Sequence, residues 1–222
     1  LGKREVMTAV SNVLLSHGRA VLRIRDVSGA EALVGTANTG PVGMPATEAR
    51  EDVEAARRMM FGADDYWSFS LYCDPMILGR TPESELVEKF MPETSPDDLA
   101  LIRQPLDFYG FYCYHAAMWR ADEKTGEPVQ VEPPAGHDKT ALGWPVTPEC
   151  VYWGCKFMAE RYKLPIVITE NGMANADVVS SDGKVHDPRR TDFMRKYFAQ
   201  MRRAVVTSSP RDAEADAVEA AG

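Results

Sequence analysis

Apolar residues recur at helical spacing from Glu5 to Val21, where Val6, Val10, Val13, Leu14 and Val21 form one stripe and predict an amphipathic helix. Ala32–Ala37 follows as a short strand, and the Gly and Pro cluster from Gly40 to Pro45 predicts a loop. Thr47 is placed to cap a helix running through Asp52, Val53, Ala56, Met59 and Met60, with acidic residues in the first turns, where the helix dipole favours them. Between Gly62 and Pro105 the pattern is broken: an aromatic stretch, a turn-rich connection, a short helix near Ser84–Phe90, and a further helix opening at Ser95-Pro96-Asp97-Asp98.

The run Leu106–Tyr114 predicts a buried strand, and the polar stretch Asp122–Lys139 predicts a surface loop. Thr147-Pro148-Glu149 starts a helix whose apolar face holds Val151, Tyr152, Cys155, Met158 and Tyr162, and which ends before Pro165. Ile166-Val167-Ile168-Thr169 is β-branched throughout and predicts a strand, with Asn171-Gly172 as a turn signal after it. Helical spacing resumes from Arg190 to Val205. Strands alternating with helices, joined by long loops after the strand ends, predict parallel α/β architecture: a doubly wound sheet or part of a (β/α)8 barrel. Residues 1–206 are expected to form that domain. The segment 207–222 is rich in Ala and acidic residues and has one large apolar residue, Val218, so it is expected to be a disordered tail.

The formal charge of −8 argues against a surface that tracks phosphates, because nucleic-acid binders need clustered Lys and Arg to displace counterions. No apolar stretch is long enough to span a membrane, so neither nucleic acid nor membrane is an expected partner. The N-terminus lacks the apolar segment of a signal peptide and reads at once as helix, so the chain is expected to begin inside a longer fold. Cys73, Cys113, Cys150 and Cys155 form no C-x-x-C pair and no metal-ligand spacing with His17, His115, His137 and His186, which points to reduced thiols and a cytoplasmic protein.

In parallel β/α proteins the reactive groups sit at strand ends, where a rigid sheet aims them into a common cleft. Glu170 occupies such a position. A carboxylate between a β-branched strand and Asn-Gly is held on a short tether, as nucleophilic attack requires. His17 falls mid-helix and reads as a packing residue, whereas His115, next to Tyr114, lies closer to the expected cleft.

Several segments together resemble family 1 glycoside hydrolases, the β-glucosidase type. Val167–Gly172 is similar to that family's I/V-T-E-N-G nucleophile motif, Gly143–Pro148 to G-W-x-x-x-P, Arg161–Pro165 to R-Y-x-x-P and Asp187–Arg190 to D-x-x-R. Asp107–Gly110 with Tyr114 looks like D-F-x-G-x-N-Y-Y, Asp74–Gly79 like D-P-x-x-x-G, and Leu14–Val21 like L-L-x-A-H-G-x-A-V. The resemblance implies the C-terminal part of a (β/α)8 barrel, roughly strands 5 to 7 with flanking helices. It implies hydrolysis of β-glycosidic bonds by double displacement, with no cofactor and no metal, on a β-glucoside, a related oligosaccharide or an aryl glycoside.

By that resemblance Glu170 is the nucleophile at the end of strand 7. Tyr114, at the end of strand 6, hydrogen-bonds its carboxylate and holds its orientation and charged form. Trp144 forms a flat wall against the aglycone, and Asn38, after strand 5, belongs to the aglycone site or caps a turn. Two departures stand out. The family's acid/base Glu lies in T-x-N-E-P, and no Asn-Glu-Pro occurs here, so the chain by itself is expected to be inactive; a noncatalytic sugar-binding or structural partner and a 6-phospho-β-glycosidase are the alternatives. Tyr112 stands where the family usually has Asn, and Cys113 where it often has Tyr.

Overall fold

The computed structural model of the chain describes residues 2–29 and 31–207. Three parallel strands, β1 (Gly35–Asn38), β3 (Phe108–Tyr112) and β6 (Ile166–Glu170), form one sheet in the order β1-β3-β6. Each is reached through helices: α1 (Lys3–Ser28) before β1, α2 (Arg50–Met60) to α5 (Pro96–Ile102) between β1 and β3, α6 (Glu149–Tyr162) between β3 and β6, and α7 (Pro188–Thr207) after β6. Sequential neighbours that are all parallel form an open segment of β/α winding, with no further strand on the outer side of β1 or β6 among the described residues. Among the described residues, no helix is long and apolar enough to cross a membrane.

A second sheet sits in the connections that follow β1 and β3. It contains β2 (Gly43–Pro45), β4 (Ala117–Ala121) and β5 (Pro128–Val131), with β2 parallel to β4 and β4 antiparallel to β5. Two predicted loops are corrected here. The Gly40–Pro45 cluster contains β2, and the stretch after Asp122 folds back as β5. Pro128 is tolerated because it is the first residue of an edge strand, where no ladder donor is lost. The connection between Gly62 and Pro105 also holds α3 (Phe69–Cys73), a π-helical turn over Asp74–Leu78, and α4 (Glu85–Phe90).

Neither threonine expected at a helix start caps one. Ala49 is the N-cap of α2, while the Thr47 hydroxyl accepts from Ala49 N and donates to the Asp52 carboxylate. Pro148 is the N-cap of α6, and Thr147 Oγ1 accepts from Ala116 N instead, tying the end of the β3 connection to α6. Helix α7 includes Thr207, and the remainder of the expected tail, 208–222, lies outside the described residues.

The main core lies between the first sheet and α6 and α7, with Tyr109, Phe111, Val151, Phe157, Met158 and Tyr197 buried together. A second cluster joins α1 to α5 and α3 through Met7, Val10, Leu14, Leu71 and Ile102. Val13, expected on the buried stripe of α1, is 50% exposed, because the packed face is centred on Met7, Leu14 and Gly18. At Gly18 the helices touch backbone to backbone: a Cβ there would lie 2.0 Å from the Leu101 carbonyl oxygen. Gly18→Ala must therefore push α1 off α5. The expected cost is about 1–3 kcal/mol, read as a lowered urea midpoint; an unchanged midpoint would show that the contact can relax freely.

Two segments noted for their motifs meet across 87 residues of chain. Asp74 is 1% exposed, and its carboxylate accepts Arg161 Nε at 3.1 Å, an Arg161 terminal nitrogen at 2.5 Å, and Tyr162 Oη at 2.8 Å. The pair locks the π-helical turn to the C-terminal end of α6, the helix that leads into β6.

Candidate active site

Glu170 is the last residue of β6, and the ladder to β3 slips just before it. Phe111 pairs with Ile168, but Tyr112 pairs with Glu170, so one extra residue, Thr169, is accommodated on β6. Such a bulge twists a strand end and re-aims its side chain. Two bonds hold the two strand ends together: Cys113 N donates to Glu170 O at 3.0 Å, and Asn171 Nδ2 donates to Cys113 O at 2.6 Å.

The phenol of Tyr114 donates to Glu170 Oε2. That bond, with burial and the carboxylate charge adding to it, pushes the Tyr114 hydroxyl up to about 12. It therefore remains a donor past about pH 10, where an ordinary tyrosine loses its proton. Among the described residues Glu170 Oε1 takes no hydrogen bond, so one carboxylate oxygen is anchored and the other is free. Behind Tyr114, the buried Tyr197 on α7 donates its hydroxyl to Tyr114 O at 2.8 Å and accepts from Thr147 N at 3.2 Å.

Glu170 and Tyr114 line a cleft of about 530 Å3 together with Trp144, His115, Tyr112, Trp67 and the segment Thr39 to Val42. Glu170 is the single carboxylate that lines it among the described residues. Trp144 is 39% exposed and is carried by a narrow hairpin: Thr140 N donates to Trp144 O at 2.8 Å, Lys139 bridges Pro145, and Gly143 makes the turn at φ 80. Its indole lies 5.7 Å from the Tyr114 ring and 5.0 Å from the His115 imidazole, whose protonation burial disfavours.

Beyond Glu170, the loop to α7 is pinned by Arg190. Its guanidinium bonds Asp187 and Asp177, and its Nε donates to Met173 O at 3.0 Å. The D-x-x-R segment is thus a clamp on the loop that leaves the carboxylate.

The profile of Glycosyl hydrolase family 1 matches residues 2–212. The chain belongs to that family. It is 33% identical over 224 residues to Beta-glucosidase A of Thermotoga maritima, an alignment covering 94% of this chain and 47% of that protein. It is 35% identical over 207 residues to Beta-glucosidase A of Acetivibrio thermocellus, covering 87% and 44%. The solved family 1 β-glucosidase of Thermotoga maritima superposes with a TM-score of 0.70 at 33% identity, over 90% of this chain and 44% of that one. Its complex with castanospermine gives 0.72 over 91% and 44%. The chain spans about half the length of the curated relatives it matches, and its β1-β3-β6 sheet is a segment of a (β/α)8 barrel.

Of the residues singled out in this family 1 chain, Glu170, Tyr114 and Trp144 meet at the cleft. Asn38 does not line it; its carboxamide oxygen accepts from Tyr109 Oη and from Cys73 Sγ at 3.4 Å, and its Nδ2 is buried without a partner among the described residues. His17 lies on α1, away from the cleft, and burial disfavours its protonation. The two departures from the family pattern differ in outcome: Tyr112 faces the cleft, while Cys113 is buried with its sulfur 3.4 Å from that of Cys150.

Sequence reasoning missed Tyr197 and Trp67; His115, expected near the cleft but given no role, does line it. Tyr197 reads only as an apolar helix position, and nothing in its neighbours signals that its hydroxyl reaches Tyr114 from 83 residues away. The Tyr66-Trp67 pair, exposed in a turn-rich stretch, is the one signal that could have marked Trp67.

Proposed function

We propose that this chain carries the nucleophile half of a retaining β-glycosidase site of the β-glucosidase type. One observation carries the reading: Glu170, at a bulged strand end, has one carboxylate oxygen held by Tyr114 and the other free toward a cleft walled by aromatic rings. The relatives named β-glucosidase support the substrate class, a β-glucoside or a related oligosaccharide or aryl glycoside.

In this reading Oε1 attacks the anomeric carbon, the bond to the aglycone oxygen breaks, and a glycosyl ester forms on Glu170; water then hydrolyses it. Tyr114 fixes the carboxylate plane, and Trp144 stacks on the aglycone. Asn38 serves the aglycone side through the Thr39–Val42 wall, which begins one residue after it. Two carboxyl groups about 5–5.5 Å apart are required for retention, so the proton donor is assigned to chain outside these strands. On unactivated glycosides the chain alone is expected to be inert. A cytoplasmic setting, supported by four free cysteines, belongs to the same proposal.

Trapping a glycosyl ester on Glu170 tests the reading. Within that assay Tyr114→Phe keeps the ring against Trp144 and removes only the donor. Labelling is expected to slow by about ten- to a hundredfold, the worth of a hydrogen bond to a charged group. An unchanged rate would remove Tyr114 from the mechanism.

A further inference from the structure

We propose that Tyr197 is a positioning residue for the nucleophile: its buried hydroxyl, by holding the main chain of Tyr114, sets the bond between Tyr114 and Glu170. The inference rests on the nucleophile reading of Glu170 and adds to it a residue on another helix that touches no substrate. Tyr114 lies two residues past the end of β3, beyond the last ladder pair, Tyr112 with Glu170. Among the described residues its main chain takes one hydrogen bond, to its carbonyl oxygen from Tyr197 Oη at 2.8 Å. The direction in which the Tyr114 phenol meets Glu170 therefore follows from where α7 places that hydroxyl.

The same hydroxyl accepts from Thr147 N at 3.2 Å, and Thr147 Oγ1 accepts from Ala116 N at 2.9 Å. The segment 114–116 is thus held at both ends, with His115 between them. Helix α7 also acts on the other partner of the bond. Arg190, seven residues before Tyr197 and so on the same face of the helix, donates to Met173 O at 3.0 Å in the loop that leaves Glu170. One helix thereby sets both the phenol and the carboxylate ends of a single hydrogen bond. Tyr197 is 2% exposed, and burial raises its hydroxyl above the usual tyrosine range, so it remains a donor in alkaline solution. Its ring stacks on Phe193 with 3.8 Å between centroids, a contact that survives removal of the hydroxyl alone.

The test is a pH titration of Tyr114 in chain labelled with 13C at the tyrosine ring carbon that bears the hydroxyl, the resonance being assigned by its loss in Tyr114→Phe. In the unaltered chain Tyr114 is expected to titrate at about 12. In Tyr197→Phe the bond to Glu170 loosens, and the titration is expected to move down toward about 10, the ordinary tyrosine value. Ester trapping on Glu170 is expected to slow about tenfold at saturating reagent, with the half-saturating concentration unchanged, because the carboxylate is misdirected while the cleft is kept. Thr147→Val keeps the side-chain shape and frees the Ala116 end of the same brace, so it is expected to move the titration the same way by less, and it answers the question should Tyr197→Phe not fold. Gly18→Ala loosens a helix contact on α1 and is expected to leave the titration in place, which separates positioning from general loss of stability. A Tyr114 titration that stays in place in either folded variant overturns the proposal, and so does a trapping rate that stays the same while the titration moves. Failure of the nucleophile reading shows itself separately, as a titration that moves in a chain that never labels.

Discussion

Incubation with a 2-deoxy-2-fluoro-β-glucoside bearing a dinitrophenolate leaving group is expected to add the mass of one fluoroglucosyl unit to this chain, and Glu170→Gln to abolish the addition. The leaving group is chosen because dinitrophenolate departs without being protonated, so the test does not depend on an acid catalyst. In the proposed mechanism the free oxygen of Glu170 is the attacking atom, and a carboxamide has no comparable nucleophile, so the labelling rate should fall at least about a thousandfold, or about 4 kcal/mol of transition-state stabilisation. Gln matches Glu in shape, and Glu170 is solvent-exposed, so the substitution leaves the fold in place. Intact-mass analysis followed by peptide mapping gives the answer. A label that persists in the variant, or that maps to another residue, would remove Glu170 as the nucleophile.

The second large effect is on stability. Asp74→Ala is expected to destabilise the chain by about 3 kcal/mol, measured from urea unfolding midpoints at constant slope. Removing one partner of a buried pair strands the other, and here Arg161 and the Tyr162 hydroxyl both lose their acceptor. The cost lies at the low end for such pairs because the Arg161 side chain is 28% exposed, and water can solvate part of the guanidinium left behind. Its contact with the Phe61 ring, 4.7 Å from the guanidinium carbon, survives the change. Asp74→Asn keeps an acceptor for Tyr162 and should lose less than the Ala variant. A loss below about 1 kcal/mol would mean that the pair is no more than a surface ion bridge.

The outcome for Asn38 and Trp144 shows why some site residues could be read in advance and others could not. Trp144 stands out through the family's G-W-x-x-x-P segment, and it sits in a hairpin closed within seven residues by the Lys139–Pro145 bridge and the Gly143 turn, so its position depends on residues close to it in the chain. Asn38 is turned by partners on β3 and α3, and its carboxamide follows Tyr109 and Cys73 rather than its own turn. Tyr197 is further still from local control, since its partners lie at the ends of two other elements.

By itself the sequence determined the helices of 3.6-residue period, the β-branched strand that ends in Glu170, and the family motifs, because each depends on residues within one turn or one strand of each other. Only the tertiary structure decided that Met7 rather than Val13 faces the core, that the Asp122–Lys139 stretch folds back as a strand, that the ladder slips between Phe111 and Tyr112, and that Asp74 reaches Arg161. These are questions of register and approach between segments far apart in the chain. Their energies come from surfaces that do not exist until the sheet has formed, so no local pattern encodes them.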